Sequence, residues 1–242
     1  MFKCSVIDTS EFKNIFEGLA RIIDETQLQA DSEGLRCEAL SRDHVSFINL
    51  DFEKDSFMEF VCDEPMKLNI STDEFYKVLK RAKTNDEIYL EADENNIILT
   101  FKGDATRRFT IRQIDLEYSN PGMPKLPFTI KEIHTNFSIF KQGVDDCEMY
   151  SDKFTLMFDE NNIVIETMEG VGEISEKWVH NETNISPAKS TYSCEKIKDF
   201  LKINKVTEEL ILSLGEDMPL LCNLIGSYVE IQFMLAPRIE AD

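Results

Sequence analysis

Ile88–Phe101 reads IYLEADENNIILTF and Phe154–Thr167 reads FTLMFDENNIVIET, two apolar runs around one tetrapeptide, Asp-Glu-Asn-Asn, at 93–96 and 159–162. Short apolar segments of this kind on either side of a polar centre have the length and pattern of strands. Asp and Asn tolerate left-handed turn geometry, so each stretch is expected to be a β-hairpin. A calcium loop would need alternating oxygen ligands, a Gly and a closing Glu, and neither copy has that order. Two further stretches share the form: LQADSEGLRCEAL from Leu28 and LILSLGEDMPLLCNL from Leu210. The four starts fall 60, 66 and 56 residues apart, which makes the hairpin part of an internal repeat.

Each hairpin follows an apolar stripe at helical spacing: Phe12, Ile15, Phe16, Leu19 and Ile23; Phe75, Val78, Leu79 and Ala82; Phe137, Phe140 and Val144; Cys194, Ile197 and Leu201. These stripes are expected to be core. Between the second and third repeats lies a turn-rich connector, Ser119-Asn120-Pro121-Gly122-Met123-Pro124-Lys125-Leu126-Pro127, which divides the chain into nearly equal halves. The expected organisation is residues 1–116 as one domain, 117–129 as connector and 130–242 as a second domain.

The chain carries 26 Lys and Arg against 46 Asp and Glu, a formal charge of −20, with 42% apolar residues in 242. That composition suits a globular protein with room for two cores. Taken as a whole the charge argues against nucleic acid, because phosphate is bound by Lys and Arg. Locally the balance reverses. Lys77, Lys80 and Arg81 share one face of the second helix with Lys83 just beyond, and Lys198, Lys202 and Lys205 share a face of the fourth. Solvated faces are commonly Lys-rich, but recurrence in both halves favours a function. The N-terminus lacks the blocks of a signal peptide and no apolar run approaches the roughly 20 residues of a membrane span, so a cytosolic place is expected. Cys4, Cys37, Cys62, Cys147, Cys194 and Cys222 lie far apart without a C-x-x-C pair, which predicts reduced thiols rather than zinc or disulfides. The sequons at Asn69, Asn136, Asn181 and Asn184 are then chance matches.

DSEGLRCEALSRDHVSFINLDF (31–52), GDATRRF (103–109), the connector, GEDMPL (215–220) and LAPRIE (235–240) together resemble the proliferating-cell nuclear antigen family of sliding clamps. GDATRRF, LPFTIK (126–131) and an ending just after LAPRIE are closer to the archaeal members. The resemblance implies an α+β clamp fold of two similar domains, each of two βαβββ units, with outer antiparallel sheets and helices lining a central hole. It implies a homotrimeric ring around double-stranded DNA, bound without sequence specificity, and no cofactor. DNA polymerase, a clamp loader of the replication factor C type, flap endonuclease and DNA ligase are the implied partners. The implied place is the cytoplasm of an archaeal cell, or the nucleus if the source is eukaryotic.

Carried over residue by residue, the resemblance assigns DNA contact to Lys13, Lys77, Lys80, Arg81, Lys83, Lys141, Lys198, Lys202 and Lys205. Asn14 and Ala20 stand where many relatives have Lys, so the first helix contributes less charge than usual. Partner peptides of the type Gln-x-x-aliphatic-x-x-aromatic-aromatic are assigned to Leu40, His44, Val45, Phe47, Met123, Pro124 and Phe128, with Ser193, Met218, Pro219, Met234, Ala236, Pro237 and Ile239. Pro121 replaces a common apolar Leu. Subunit joining is assigned to the strands 107–112 and 172–180, with Arg107, Arg108, Phe109, Ile111, Arg112, Ile174 and Trp178 named. Asp145, Asp146 and Glu148 are the expected acidic counterparts of those arginines. Two rival functions follow from the residues. An enzyme is disfavoured: there are three histidines (His44, His134, His180) and no Walker loop, G-x-S-x-G or H-E-x-x-H. A peptide scaffold that ignores DNA is disfavoured by the basic helix faces.

Overall fold

The structure, a computed structural model, describes residues 1–116, 122–128, 130–159, 162–167, 170–172 and 188–238. Among them one order recurs four times: strand, helix, three strands. The first set is β1 (Phe2–Val6), α1 (Thr9–Ile22), β2 (Glu25–Ala30), β3 (Gly34–Leu40) and β4 (Ser46–Glu53). An additional strand, β5 (Phe57–Cys62), comes before the second set: β6 (Met66–Ser71), α2 (Thr72–Leu79), β7 (Glu87–Ala92), β8 (Asn96–Lys102) and β9 (Thr106–Arg112). The third is β10 (Ile130–Asn136), α3 (Phe137–Glu148), β11 (Lys153–Asp159), β12 (Asn162–Thr167) and β13 (Gly170–Gly172). The fourth is β14 (Ala188–Ser193), α4 (Cys194–Phe200), β15 (Glu209–Leu214), β16 (Leu220–Ile225) and β17 (Glu230–Leu235).

The chain divides into two compact units, Met1–Met123 with Ile225–Ile231, and Pro124–Leu224 with Gln232–Asp242. In the first unit the two sets exchange strands: β1 pairs with β7, and β2 with β6, all antiparallel. The second unit repeats the exchange, β10 with β15 and β11 with β14. Neither set closes a sheet alone, so each unit is held by pairings distant in sequence. The results are the runs β5-β1-β7-β8-β9 and β4-β3-β2-β6 in the first unit, and β13-β12-β11-β14 and β10-β15-β16-β17 in the second.

Side-chain caps explain where three of the helices begin. Asp8, Ser71 and Asn136 accept bonds from backbone N–H groups of the first turn of α1, α2 and α3. The apolar stripes are core as expected except at half-buried Val78, with Ile15, Leu19, Phe75, Leu79, Val144, Ile197 and Leu201 fully buried. The hairpin reading also holds: Asp93 accepts from the N–H of Asn95 (2.9 Å) and Asn96 (2.8 Å), which turns the chain between β7 and β8. Those bonds hold its carboxyl below the ordinary range. Asp31 makes the same turn before Gly34, where a Cβ would overlap the Phe52 carbonyl oxygen. In the second Asp-Glu-Asn-Asn copy, Glu160 and Asn161 lie outside the described residues; Asp159 and Asn162 end β11 and begin β12 and pair across the hairpin.

All six cysteines are free, and five are buried. No helix among the described residues is long and apolar enough to cross a membrane.

Candidate nucleic-acid and partner interfaces

Helices α1 and α2 of the first unit are neighbours, and their cations are individually engaged. The Lys13 ammonium donates to the Ala82 carbonyl just beyond α2. Lys77 pairs with Asp73 one turn earlier, and the bond raises its pKa. The Lys80 ammonium stands 5.9 Å from the Tyr76 ring centre. Arg81 is exposed with no ion pair among the described residues, and Lys83 reaches Asp104 at 3.2 Å in open solvent. Apart from half-buried Lys13, all of these cations lie on the exposed side of α2 and the turn after it.

In the second unit, Lys141 pairs with Asp145 on α3, and Lys198 of α4 reaches both Asp145 (3.2 Å) and Glu148. Burial works against charge on Asp145, yet the two lysines hold its carboxyl below the ordinary range. The Glu148 hydrogen bond raises the Lys198 pKa. Lys202 and Lys205 are exposed beyond α4.

Strand β9 is an edge of its sheet, with backbone groups on one side left for pairing. Its arginines are partly committed within the chain. Arg107 grips buried Asp86 and donates to the Arg81 carbonyl at 2.9 Å; Arg108 stands 3.8 Å from Glu91. Arg112 is exposed, Ile111 is buried, and Phe109 packs on Phe101 with centroids 5.4 Å apart. Asp145 and Glu148 therefore have partners inside the chain, whereas Asp146 is exposed with none among the described residues. Ile174, Trp178 and the strand from 173 onward lie outside the described residues.

GDATRRF gains a physical meaning here. A Cβ at Gly103 would overlap the Asp86 carboxylate, Asp104 meets Lys83, and Arg107 closes on Asp86. Asp86 also accepts from the Lys83 N–H at 2.7 Å. Spacing alone gives no sign of Asp86, since the aspartate lies 21 residues before the arginine it holds.

The peptide-assigned residues fall in two groups. In the first unit, Leu40 ends β3, His44 is exposed at positive φ (60°), Val45 is half-buried and Phe47 buried in β4. The turn is tied by Ser41, whose N–H donates to the Ser46 carbonyl (2.7 Å) and whose carbonyl accepts from the His44 N–H (2.8 Å). Met123 is half-buried.

In the second unit, Pro124 is exposed and Phe128 half-buried. Here strand β14 organises most of the remainder. Its outer edge accepts the Asp217 N–H at the Lys189 carbonyl (3.2 Å) and the Arg238 N–H at the Thr191 carbonyl (2.7 Å). The Ser190 hydroxyl donates to the Gly215 carbonyl (2.9 Å) and accepts from the Met218 N–H (3.1 Å). The hydroxyl of buried Tyr192 donates to the Met218 carbonyl at 2.8 Å. Met218, Pro219, Ala236 and Pro237 are half-buried, while Ser193 and Met234 are buried. Ser190, Thr191 and Tyr192 escaped the sequence reading because their role is to hold backbone. Ile239 lies outside the described residues.

Among the described residues no His, Cys, Asp and Glu cluster could hold a metal ion. What the surfaces offer is exposed cations on helices, an open strand edge and backbone-anchored apolar side chains, the equipment of a nucleic-acid-associated assembly protein.

The comparisons agree with that class. Residues 1–120 match the family described as the N-terminal domain of proliferating cell nuclear antigen. The chain is 43% identical to a DNA polymerase sliding clamp of Methanobrevibacter smithii and 40% identical to one of Methanothermobacter thermautotrophicus, over 100% of every chain compared. The crystal structure of proliferating cellular nuclear antigen from Entamoeba histolytica superposes with a TM-score of 0.88, covering 98% of this chain and 99% of that one at 21% identity. The chain belongs to the DNA polymerase sliding clamp family, whose members are processivity factors and not enzymes. Its curated relatives include archaeal methanogens, and its α+β clamp fold agrees with the solved relative.

Proposed function

We propose that three copies of the chain join head to tail into a ring around duplex DNA, with residues 1–116 and 130–242 as its domains and 117–129 as connector. A radius of gyration of roughly 18 Å for a chain of this size is too small to surround a duplex alone. Closure by one repeated contact generates a cyclic assembly. The observation that carries the reading is the cationic surface of α2 and its following turn in a chain of net charge −20. Lysine and arginine on exposed helix faces hold phosphates without reading bases, which permits sliding. The excess carboxylates then keep DNA from other faces of the protein.

Lys13, Lys77, Lys80, Arg81, Lys83, Lys141, Lys198, Lys202 and Lys205 form the DNA-contact set, and β9 with 172–180 the joining edges. Partner peptides engage the assigned residues of each unit; DNA polymerase, a loader that hydrolyses ATP, flap endonuclease and ligase are the proteins that carry them. Methionines at 123, 218 and 234 suit a surface that accepts related peptides, because an unbranched side chain repacks readily. The test is light scattering followed by retention on circular and linear DNA. A trimer that stays on closed circles and runs off linear ends is expected. A monomer that never forms a ring, alone or with another clamp subunit, overturns the reading.

A further inference from the structure

The last described residues, Ala236, Pro237 and Arg238, leave β17 and lie beside β14 with no strand pairing of their own. Two bonds hold them there. The Arg238 N–H donates to the Thr191 carbonyl at 2.7 Å, and the Arg238 guanidinium donates to the Asp152 carboxylate at 2.6 Å. Asp152 sits between α3 and β11 and has a second task. Its carbonyl accepts the Cys194 N–H at 3.0 Å, supplying the start of α4 where the Ser193 side chain makes no cap. Arg238 in turn holds the Asp152 carboxyl below its ordinary range. One residue thus ties the helix start and Arg238 to the same point.

We propose that the Asp152–Arg238 ion pair is a latch that fixes Ala236 and Pro237 along β14 and so lengthens the time a partner peptide stays bound. The proposal rests on the peptide-binding reading above and adds a positioning residue, Asp152, that the reading does not contain. Both side chains are well exposed, 73% for Asp152 and 42% for Arg238, so the pair adds little to global stability. Its leverage is local. A segment outside any strand is held only by the few bonds it makes, and a surface ordered before binding spares the peptide the cost of ordering it. Such a gain appears mainly in the dissociation rate.

The test uses the full chain, a synthetic uncharged-flank peptide of the Gln-x-x-aliphatic-x-x-aromatic-aromatic type, and four variants: Asp152→Asn, Arg238→Gln, Arg238→Lys and the swap Asp152→Arg with Arg238→Asp. Each single neutralisation is expected to speed peptide dissociation about threefold with association unchanged. Lysine and the swap restore slow release. At about 1 M salt, wild type and Asp152→Asn converge, because the exposed pair is screened. Amide exchange at Arg238 reads the latch without any peptide, and should quicken in Asp152→Asn. Unchanged amide exchange and unchanged dissociation overturn the latch. Wild-type protein that binds no peptide overturns the peptide reading instead, and the Arg238 amide then decides the latch alone.

Discussion

Lys13, Lys77, Lys80 and Lys83 in the first unit each meet a separate neighbour, whereas Lys141 and Lys198 in the second converge on Asp145, with Glu148 closing the cluster. The sequence repeat makes the two helix pairs look equivalent. The side chains make them different devices. In the first unit, positive charge stands in solvent beside a carbonyl, an aromatic ring and exposed carboxylates. In the second, two lysines and two carboxylates neutralise each other and bind α3 to α4. The lesson is that a basic helix face is not yet a phosphate-binding face; its acidic neighbours decide.

The sharpest way to break that comparison is to reverse charge in one unit at a time. Lys77→Glu, Lys80→Glu and Arg81→Glu together are expected to lower retention on circular DNA by two or more orders of magnitude, and to abolish stimulation of polymerase processivity. The slope of log affinity against log salt should fall by about one per lost phosphate contact. Oligomer mass and peptide binding should not change. Neutralising Lys141 and Lys198 should cost less than tenfold, because their charge is already balanced in place. Asp145→Asn, which frees Lys141 and leaves Lys198 with Glu148, should tighten DNA binding a few-fold. Equal losses from the two units would show that the cluster opens on DNA and that the contrast belongs to the free protein only.

A smaller effect separates the units by stability. Asp86 is 5% exposed and depends on Arg107, while Asp145 and Glu148 are partly solvated. Removing one partner of a buried pair strands the other charge, so Arg107→Ala should cost about 2 kcal/mol, less than a fully buried pair because the Lys83 N–H remains. Lys198→Ala, whose partners keep access to water, should cost under about 1 kcal/mol. Urea denaturation at fixed protein concentration measures both. Parity would mean that Asp86 regains water when the arginine leaves.

How much of this was legible beforehand follows from range. The hairpins at Leu28, Ile88, Phe154 and Leu210 and the stripes ahead of them are local patterns of period two or 3.6, and they stand where the sequence places them. The exchange of β1 with β7 and of β10 with β15 is not local; nothing in FKCSV names its partner across more than eighty residues. Strand β5 was also missed, since FMEFVC reads as one more apolar run between two hairpins. Among the site residues, the basic faces were visible as spacing. The Lys141–Asp145 pair was there at i, i+4, but Lys198 meeting Asp145 and Glu148 needs the packing of α3 on α4. The same holds for Arg238 and Asp152, 86 residues apart.

The third difference lies at the helix starts and shows as a dependence on pH. Three residues after its cap, α3 places Ile139, while α1 places Glu11. Glu11 is 8% exposed, and its Oε1 has no hydrogen-bond partner among the described residues. It lines a small cavity with Val6, Phe12, Ile15, Phe52 and Phe57; Asp8 and Tyr228 are the other titratable groups that face it. Burial, and then the Asp8 charge, push its carboxyl up from 4.5 to about 7. A group raised on folding favours the folded state below its unfolded value, and that benefit disappears as pH rises through the folded value. The first unit should therefore lose about 3 kcal/mol between pH 4.5 and pH 7.5 from this residue. Glu11→Gln keeps the shape, cannot ionise, and should match wild type near pH 4.5 while exceeding it above pH 7. Asp8→Asn preserves the cap and should move the Glu11 midpoint down. Unfolding curves across this range, with the Glu11 carboxyl followed by NMR, give the answer; a midpoint below 5 would mean that the helix N-terminus stabilises the carboxylate more than the apolar cavity opposes it.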